Sequence, residues 1–199
     1  PTGNGTNDAT HKHIKVRQDS RWKVQQIHCG RMLIQCLPGD GKDECPLIWL
    51  PIQNYSNSFD RITGLKELTI DSCENFGLEW IHKLKSLKIL EIRCCHELRR
   101  TPSTLGGPGN LEVLKLELLK ELPAGIGGLE TLKTLDITRC HSLKTLPETV
   151  EKLRKLEVLK LQDLDSLEEL PAGIGGLETL KTLDITRCHS LKTLPETVE

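Results

Sequence analysis

The sequence predicts an α/β-type repeat solenoid, a row of stacked coils with a parallel β-sheet on its concave side and irregular, 3₁₀ or short helical legs on its convex side. Three observations predict it. The pattern L-x-x-L-x-L/I recurs six times from Leu65 onward. Its first leucines, Leu65, Leu87, Leu111, Leu132, Leu156 and Leu180, are spaced 22, 24, 21, 24 and 24 residues apart. The 31 residues from Glu121 to Glu151 return unchanged from Glu169 to Glu199, an offset of 48, or two such periods. Self-similarity at a fixed period in this range marks a stacked-repeat architecture.

Composition agrees and narrows the function. Among 199 residues, 27 Lys+Arg nearly balance 28 Asp+Glu, so there is no basic field to attract nucleic acid or an anionic membrane. Six aromatic residues are too few to fill a ring-rich core, so Leu, Ile and Val must fill it. No apolar run approaches the roughly 20 residues that span a bilayer, and the first thirty residues hold no signal-peptide core; membrane insertion is not expected. The chain opens on Pro1 and reads as a mature product or a fragment. The eight cysteines (Cys29, Cys36, Cys45, Cys73, Cys94, Cys95, Cys140, Cys188) form no Cys-x-x-Cys pair and no short zinc spacing. A reducing, cytoplasmic compartment fits them better than a disulfide framework.

Residues 1–20 are Gly/Asn/Thr-rich at their start and are expected to be a disordered tail. His11 and His13 lack a third ligand, so no metal is assigned. Residues 21–60 are expected to be an irregular N-terminal cap or degenerate repeats, with strand-prone segments at Val24–His28 and Met32–Cys36 and with Trp22 and Trp49 in its core. Pro38–Cys45, "PGDGKDEC", places Asp43 where a phosphate loop needs Ser or Thr, and Cys36 stands where its first glycine belongs. An anionic side chain there would repel phosphate, so no nucleotide or other cofactor is expected. Asn4-Gly5-Thr6 and Asn54-Tyr55-Ser56 match the glycosylation sequon; chance alone would give about one such match, so the two are weak evidence, though the best support for an extracellular location.

Residues 61–199 hold about six repeats, the last one truncated, its outer flank expected to stand open. Each starts with a short strand whose leucines alternate inward. Three residues past the strand's last apolar comes a turn position held by Cys73, Cys95, Cys140 or Cys188, and by Leu164 in the fifth repeat. A small, weakly polar, half-buried thiol suits that turn. Then follows L-x-x-L-P, as in Leu143, Leu146, Pro147 and Leu191, Leu194, Pro195. Proline cannot continue a ladder or sit inside a helix, so the return leg begins there. The third repeat is three residues short between Leu116 and Leu119, which predicts a truncated Cys turn and a kink near Glu117–Lys120. In the second, Ser103–Asn110, "STLGGPGN", reads as a loop. His96, His141 and His189 each follow a turn cysteine. Neighbours in an extended segment point to opposite faces, so these pairs are read as scaffold and no catalytic set is assigned; the protein is not expected to be an enzyme.

The motif L-x-x-L-x-L-x-x-C-x-x-L-x-x-L-P resembles the repeat of leucine-rich-repeat proteins. Its turn cysteine and the "SLKTLPETV" tail are most similar to the repeats of plant intracellular immune receptors of the nucleotide-binding leucine-rich-repeat class, over Leu65–Glu199. That resemblance implies a protein-recognition surface: ligand-sensing or autoinhibitory repeats whose partner is an effector, a host guardee or the receptor's own switch domain. The switch motifs themselves are not in this sequence. The other readings are a cytoplasmic adaptor docking a signalling enzyme and an extracellular receptor ectodomain.

The binding surface is placed on the outward strand residues. One column reads Thr69, Glu91, Lys115, Asp136, Lys160, Asp184, alternating in sign from Glu91 onward. Strands lie about 4.8 Å apart, so these charges are expected to neutralise one another across the strands. The next column reads Asp71, Arg93, Glu117, Thr138, Gln162, Thr186, and beside it Arg139, Asp163 and Arg187 complete the candidate face.

Overall fold

The computed structural model describes residues 21–28, 31–37, 48–51, 66–71, 81–82, 84–94, 109–122 and 124–194, by backbone alone for the first three segments and for Asp71 and Ala124. The 1–20 tail with His11 and His13, both sequons, Pro38–Cys45, Cys73, Cys95 and residues 103–108 of the glycine loop lie outside the described residues.

The fold is a leucine-rich-repeat solenoid. Six parallel strands, β4 (Glu67–Asp71), β5 (Ile89–Arg93), β6 (Val113–Glu117), β7 (Thr134–Thr138), β8 (Val158–Gln162) and β9 (Thr182–Thr186), follow one another in an open sheet. They pair in unbroken register: Leu68, Leu90, Leu114, Leu135, Leu159 and Leu183 form one row. Before them stand β1 (Arg21–His28), β2 (Arg31–Leu37) and β3 (Ile48–Pro51), an antiparallel meander. Its β1 continues the sheet by pairing in parallel with β4 through Ile27↔Ile70 and His28↔Asp71. The segment expected to be an irregular cap or degenerate repeats thus adds three strands to the sheet, with Trp22 on β1 and Trp49 on β3.

Burial explains why the coils stack. In the β7 coil Leu132, Leu135, Ile137, Cys140, Leu143, Leu146, Val150 and Leu153 are all 5 % exposed or less. At roughly 1.5–3 kcal/mol for each buried aliphatic, one coil gains this only when a neighbour covers each flank. No polar or charged side chain is buried among the described residues. Among the described residues three return legs are 3₁₀ segments, at Ala124–Gly128, Glu148–Lys152 and Ala172–Gly176. The latter two begin directly after Pro147 (φ −59°) and Pro171 (φ −55°), whose fixed φ and missing N–H suit a helix start. Gly127 lets two legs touch: a Cβ there would lie 2.3 Å from the Thr149 carbonyl oxygen. Thr131 and its copy Thr179 staple coil to coil, donating to the carbonyls of Leu111 (2.9 Å) and Leu156 (2.8 Å).

The turn leaving the sheet is sharper than the sequence suggests. Cys94, Leu118, Arg139, Asp163 and Arg187, each directly after its strand, have φ of 53–58° although none is glycine. A left-handed residue costs roughly 1–2 kcal/mol, but here it lets the ladder run one bond further. The N–H of Cys94, Leu118, Arg139 and Asp163 donates to Glu117, Thr138, Gln162 and Thr186 of the next strand.

That ladder also corrects the reading of the third repeat. It aligns Leu118 with Arg139, so Leu119 fills the position of Cys140 and is buried, 3 % exposed. The Cys turn is therefore kept. The three missing residues come from the leg after it, where Cys140–Leu143–Leu146 takes two L-x-x steps and Leu119–Leu122 takes one. Counting back from L-x-x-L-P hides this, because both steps share one motif.

Candidate protein-docking face

Backbone register gathers the candidate residues of β4–β9 into rows. Register pairing puts Thr69, Glu91, Lys115, Asp136, Lys160 and Asp184 side by side, and Asp71, Arg93, Glu117, Thr138, Gln162 and Thr186 in the adjoining row. Both rows are as the spacing predicted. Arg139, Asp163 and Arg187 follow at the left-handed turn.

The ion pairing differs from expectation. Among the described residues no bridge closes straight across the middle row, whose bonds run diagonally or within a strand; the straight pairs, Arg93–Glu117 and Asp163–Arg187, lie beside it. Arg93 reaches Glu91 two residues before it (2.6 Å) and lies 3.6 Å from Glu117. Arg139 holds the other oxygen of Glu117 at 3.0 Å, and Arg187 reaches back to Asp163 at 3.3 Å. Thr138 donates to Asp136 (2.8 Å), Thr186 to Asp184, and Gln162 to the second oxygen of Asp184 (2.7 Å). These hydrogen bonds, Thr186 first and then Gln162, hold the Asp184 carboxyl below its ordinary range. An aspartate is short, and its row neighbour two residues on is closer to its oxygens than a lysine tip in the next strand. Lys115 and Lys160 are consequently left without an ion pair among the described residues. The face thus presents two ammonium groups outside ion-pair distance of the described carboxylates, Lys160 acting on Asp184 through its charge alone.

A second set of pairs, which the sequence reading missed, lies just before the strands. Glu112 sits between Lys88 (2.8 Å) and Lys133 (3.0 Å), and Glu157 meets Lys181 (2.7 Å). On the leg, Glu168 meets Lys192 at 2.7 Å. The signal was available: residues 88, 112, 133, 157 and 181 alternate in sign as regularly as the middle row.

At the turn, Cys140 and His141 part company. Cys140 is buried, and that burial pushes its thiol up to about 11. Its sulfur accepts the Leu119 N–H at 3.3 Å. His141 is exposed, with Nδ1 2.9 Å from Asp165 of the next coil. The thiol and imidazole face opposite ways, so neither can activate the other. The copy, Cys188, is half-buried, and its thiol is also raised by burial. Among the described residues no group of three His, Cys, Asp or Glu could hold a metal ion, and no helix is long and apolar enough to cross a membrane.

No protein-family model matches this chain, and no curated protein does. Among solved structures it is similar to the leucine-rich-repeat domain of the type III effector XopL, at 24 % identity and a TM-score of 0.49, covering 71 % of this chain and 67 % of that one. It is similar also to an internalin from Listeria monocytogenes, at 16 % identity and a TM-score of 0.42, covering 68 % of this chain. The plant peptide hormone receptor RGFR1 in complex with RGF2 follows at 21 % identity, 64 % coverage of this chain and a TM-score of 0.41. The matches span 48 % of the internalin and 25 % of the plant receptor.

Proposed function

We propose that this chain is a protein-recognition scaffold, the sensing or autoinhibitory repeat region of a plant-type intracellular immune receptor, acting in the cytoplasm. The observation that carries the recognition reading is the aligned solvent face, where Lys115 and Lys160 lie outside ion-pair distance of carboxylates already fixed by Thr138, Thr186 and Gln162. Groups held in one geometry lose little freedom on binding, so a partner meets a preorganised pattern. The plant-receptor part is supported by the turn cysteine and the "SLKTLPETV" tail, which appear in both copies.

Contacts are assigned to Thr69, Asp71, Glu91, Arg93, Lys115, Glu117, Asp136, Thr138, Arg139, Lys160, Gln162, Asp163, Asp184, Thr186 and Arg187. The partner is a protein: an effector, a host guardee or the receptor's own switch domain. Differential contact with it would bias an on/off equilibrium.

The test is capture from plant extract by the chain and by two variants. Alanines at Asp136, Thr138 and Arg139 should abolish capture of the specific partner. Alanines at Arg154 and Lys155, exposed on the leg side, should leave it intact. Equal capture by both variants overturns the assignment of the face, and a captured set with no immune or switch protein overturns the receptor reading.

A further inference from the structure

Two strands of the sheet present the same side chains two places apart. The six residues Leu111–Leu116, "LEVLKL", return at Leu156–Leu161. Both β6 and β8 therefore set a valine and a lysine on the solvent side, Val113 with Lys115 and Val158 with Lys160. The strands β7 and β9 share another set, "TLDIT", and show Thr134 with Asp136 and Thr182 with Asp184. Register turns this into two rows: Val113, Thr134, Val158, Thr182, and beside it Lys115, Asp136, Lys160, Asp184. The face thus repeats every second strand. On the other side of β6 the pattern changes, because β5 carries Ile89 with Glu91.

The nearby acids are already engaged. Asp136 accepts from Thr138 (2.8 Å), Asp184 from Thr186 and Gln162, Glu112 meets two lysines, and Glu117 lies against Arg93 and Arg139. Lys115 is exposed and Lys160 half-buried, and both lie outside ion-pair distance of the described carboxylates. Two strands span about 9.6 Å, so an anionic chain crossing the sheet must bring a carboxylate back to one side at that interval. A β-strand returns to one side after about 6.7 Å. An α-helix returns after two turns, about 10.5 Å, but sets another side chain one turn along, against Asp136. A polyproline-II segment has three residues per turn at a rise of about 3.1 Å and returns after about 9.3 Å. Its period is the one that fits.

We propose that β6–β8 bind an acidic polyproline-II segment of a partner protein, lying across the strands with a carboxylate at every third residue. This rests on the protein-recognition reading above and names the chemistry of the partner. Carboxylates at i and i+3 meet Lys115 and Lys160, and a second edge of the same segment lays proline rings on the half-buried Val113 and Val158. The residues between the two acids point to the other edges, so nothing negative is set against Asp136. A uniformly charged polyanion has no such gap and would be repelled by Asp136 and Asp184 at every second strand. Each exposed ion pair contributes little alone; a preformed polyproline-II chain loses little freedom on docking, so both pairs form together.

The test titrates the full chain with two capped octapeptides of one composition and follows its amide shifts by NMR. Pro-Pro-Glu-Pro-Pro-Glu-Pro-Pro carries its acids three residues apart, and Pro-Pro-Pro-Glu-Pro-Glu-Pro-Pro carries them two apart. The first should shift the amides of β6 and β8 and bind about fivefold more tightly than the second at low salt. The gap should close in 1 M NaCl, where screening is strong. Lys160→Gln should make the two peptides equal, while Lys155→Gln, exposed on the leg side, should keep the preference. Equal affinities for the parent chain overturn the three-residue period, and so does tighter binding of a helical peptide with acids seven residues apart. No shift on β6–β8 with either octapeptide overturns the acidic partner. The recognition reading fails by a different result, unchanged capture from extract by the Asp136, Thr138 and Arg139 alanine variant. Capture lost in that variant while neither octapeptide binds the parent overturns the acidic segment alone.

Discussion

Cys140 shows how much one atom can do at a coil boundary. Its sulfur accepts the Leu119 N–H of the preceding coil (3.3 Å) and lies 3.5 Å from the Thr138 carbonyl oxygen. A thiol is small enough for the turn, apolar enough for the core and still able to cap a buried amide. Cys140→Ala would leave the Leu119 N–H without a partner in a dry site, an expected loss of about 1–3 kcal/mol. Cys140→Ser keeps an acceptor there and should lose less; chemical denaturation of the three chains measures this. If Ala and Ser behave alike, the hydrogen bond is not what the thiol supplies. The sequence showed a buried, weakly polar turn residue but not its partner, because the amide it caps lies 21 residues back. The left-handed Arg139, Asp163 and Arg187 were hidden for another reason. Glycine usually announces that backbone, and none of the three is glycine; at Arg139 and Asp163 a ladder bond to the next strand accompanies it.

At the level of the strand, the alternation of backbone direction makes β9 a sensitive reporter. Leu183 and Ile185 carry the same local sequence as Leu135 and Ile137, yet among the described residues only the latter pair has a strand on the side its N–H groups face. Amide exchange should therefore be much faster at Leu183 and Ile185 than at Leu135 and Ile137. Within β9 itself it should alternate, with Thr182, Asp184 and Thr186 protected by β8. Uniform exchange along β9 would contradict the open edge. Strand positions and register were legible from the leucine spacing because a period-2 strand repeated every two dozen residues has only one way to keep its apolar side inward. The side-chain pairs on that sheet were not. Spacing gives the distance between rows, but whether Asp136 meets Lys160 or Thr138 depends on side-chain reach, and a two-residue step along the strand suits a short acid. The third repeat was misaligned for a similar reason: L-x-x steps are interchangeable as letters, and only the hydrogen bond from Leu118 to Thr138 distinguishes them.

Across the whole array, the exposed ion pairs link stability to pH in a stated direction. The carboxyls of Glu112 (Lys88 first, then Lys133), Glu157 (Lys181) and Glu168 (Lys192) are held below their ordinary values by these hydrogen bonds and charges. A carboxyl lowered in the folded state binds its proton more readily when unfolded. Its stabilisation is therefore present above the unfolded value, about 4.3 for Glu, and is lost as pH falls through the lower, folded value. Lys192 is raised by Glu168, so its part persists below its unfolded value and is lost only as strong alkali passes the folded one. The thermal midpoint should therefore fall between pH 6 and pH 3, and fall less in high salt, which screens exposed pairs. Protonation also leaves the Lys and Arg charges unbalanced along the coils, which lowers the midpoint by general repulsion. Glu112→Gln separates the two causes. It removes the carboxylate shared by Lys88 and Lys133, so it should lower the midpoint at pH 6 and lower it less at pH 3, as the parent's carboxyl takes up its proton. An equal loss at both pH values would show that these bridges do not couple one coil to the next.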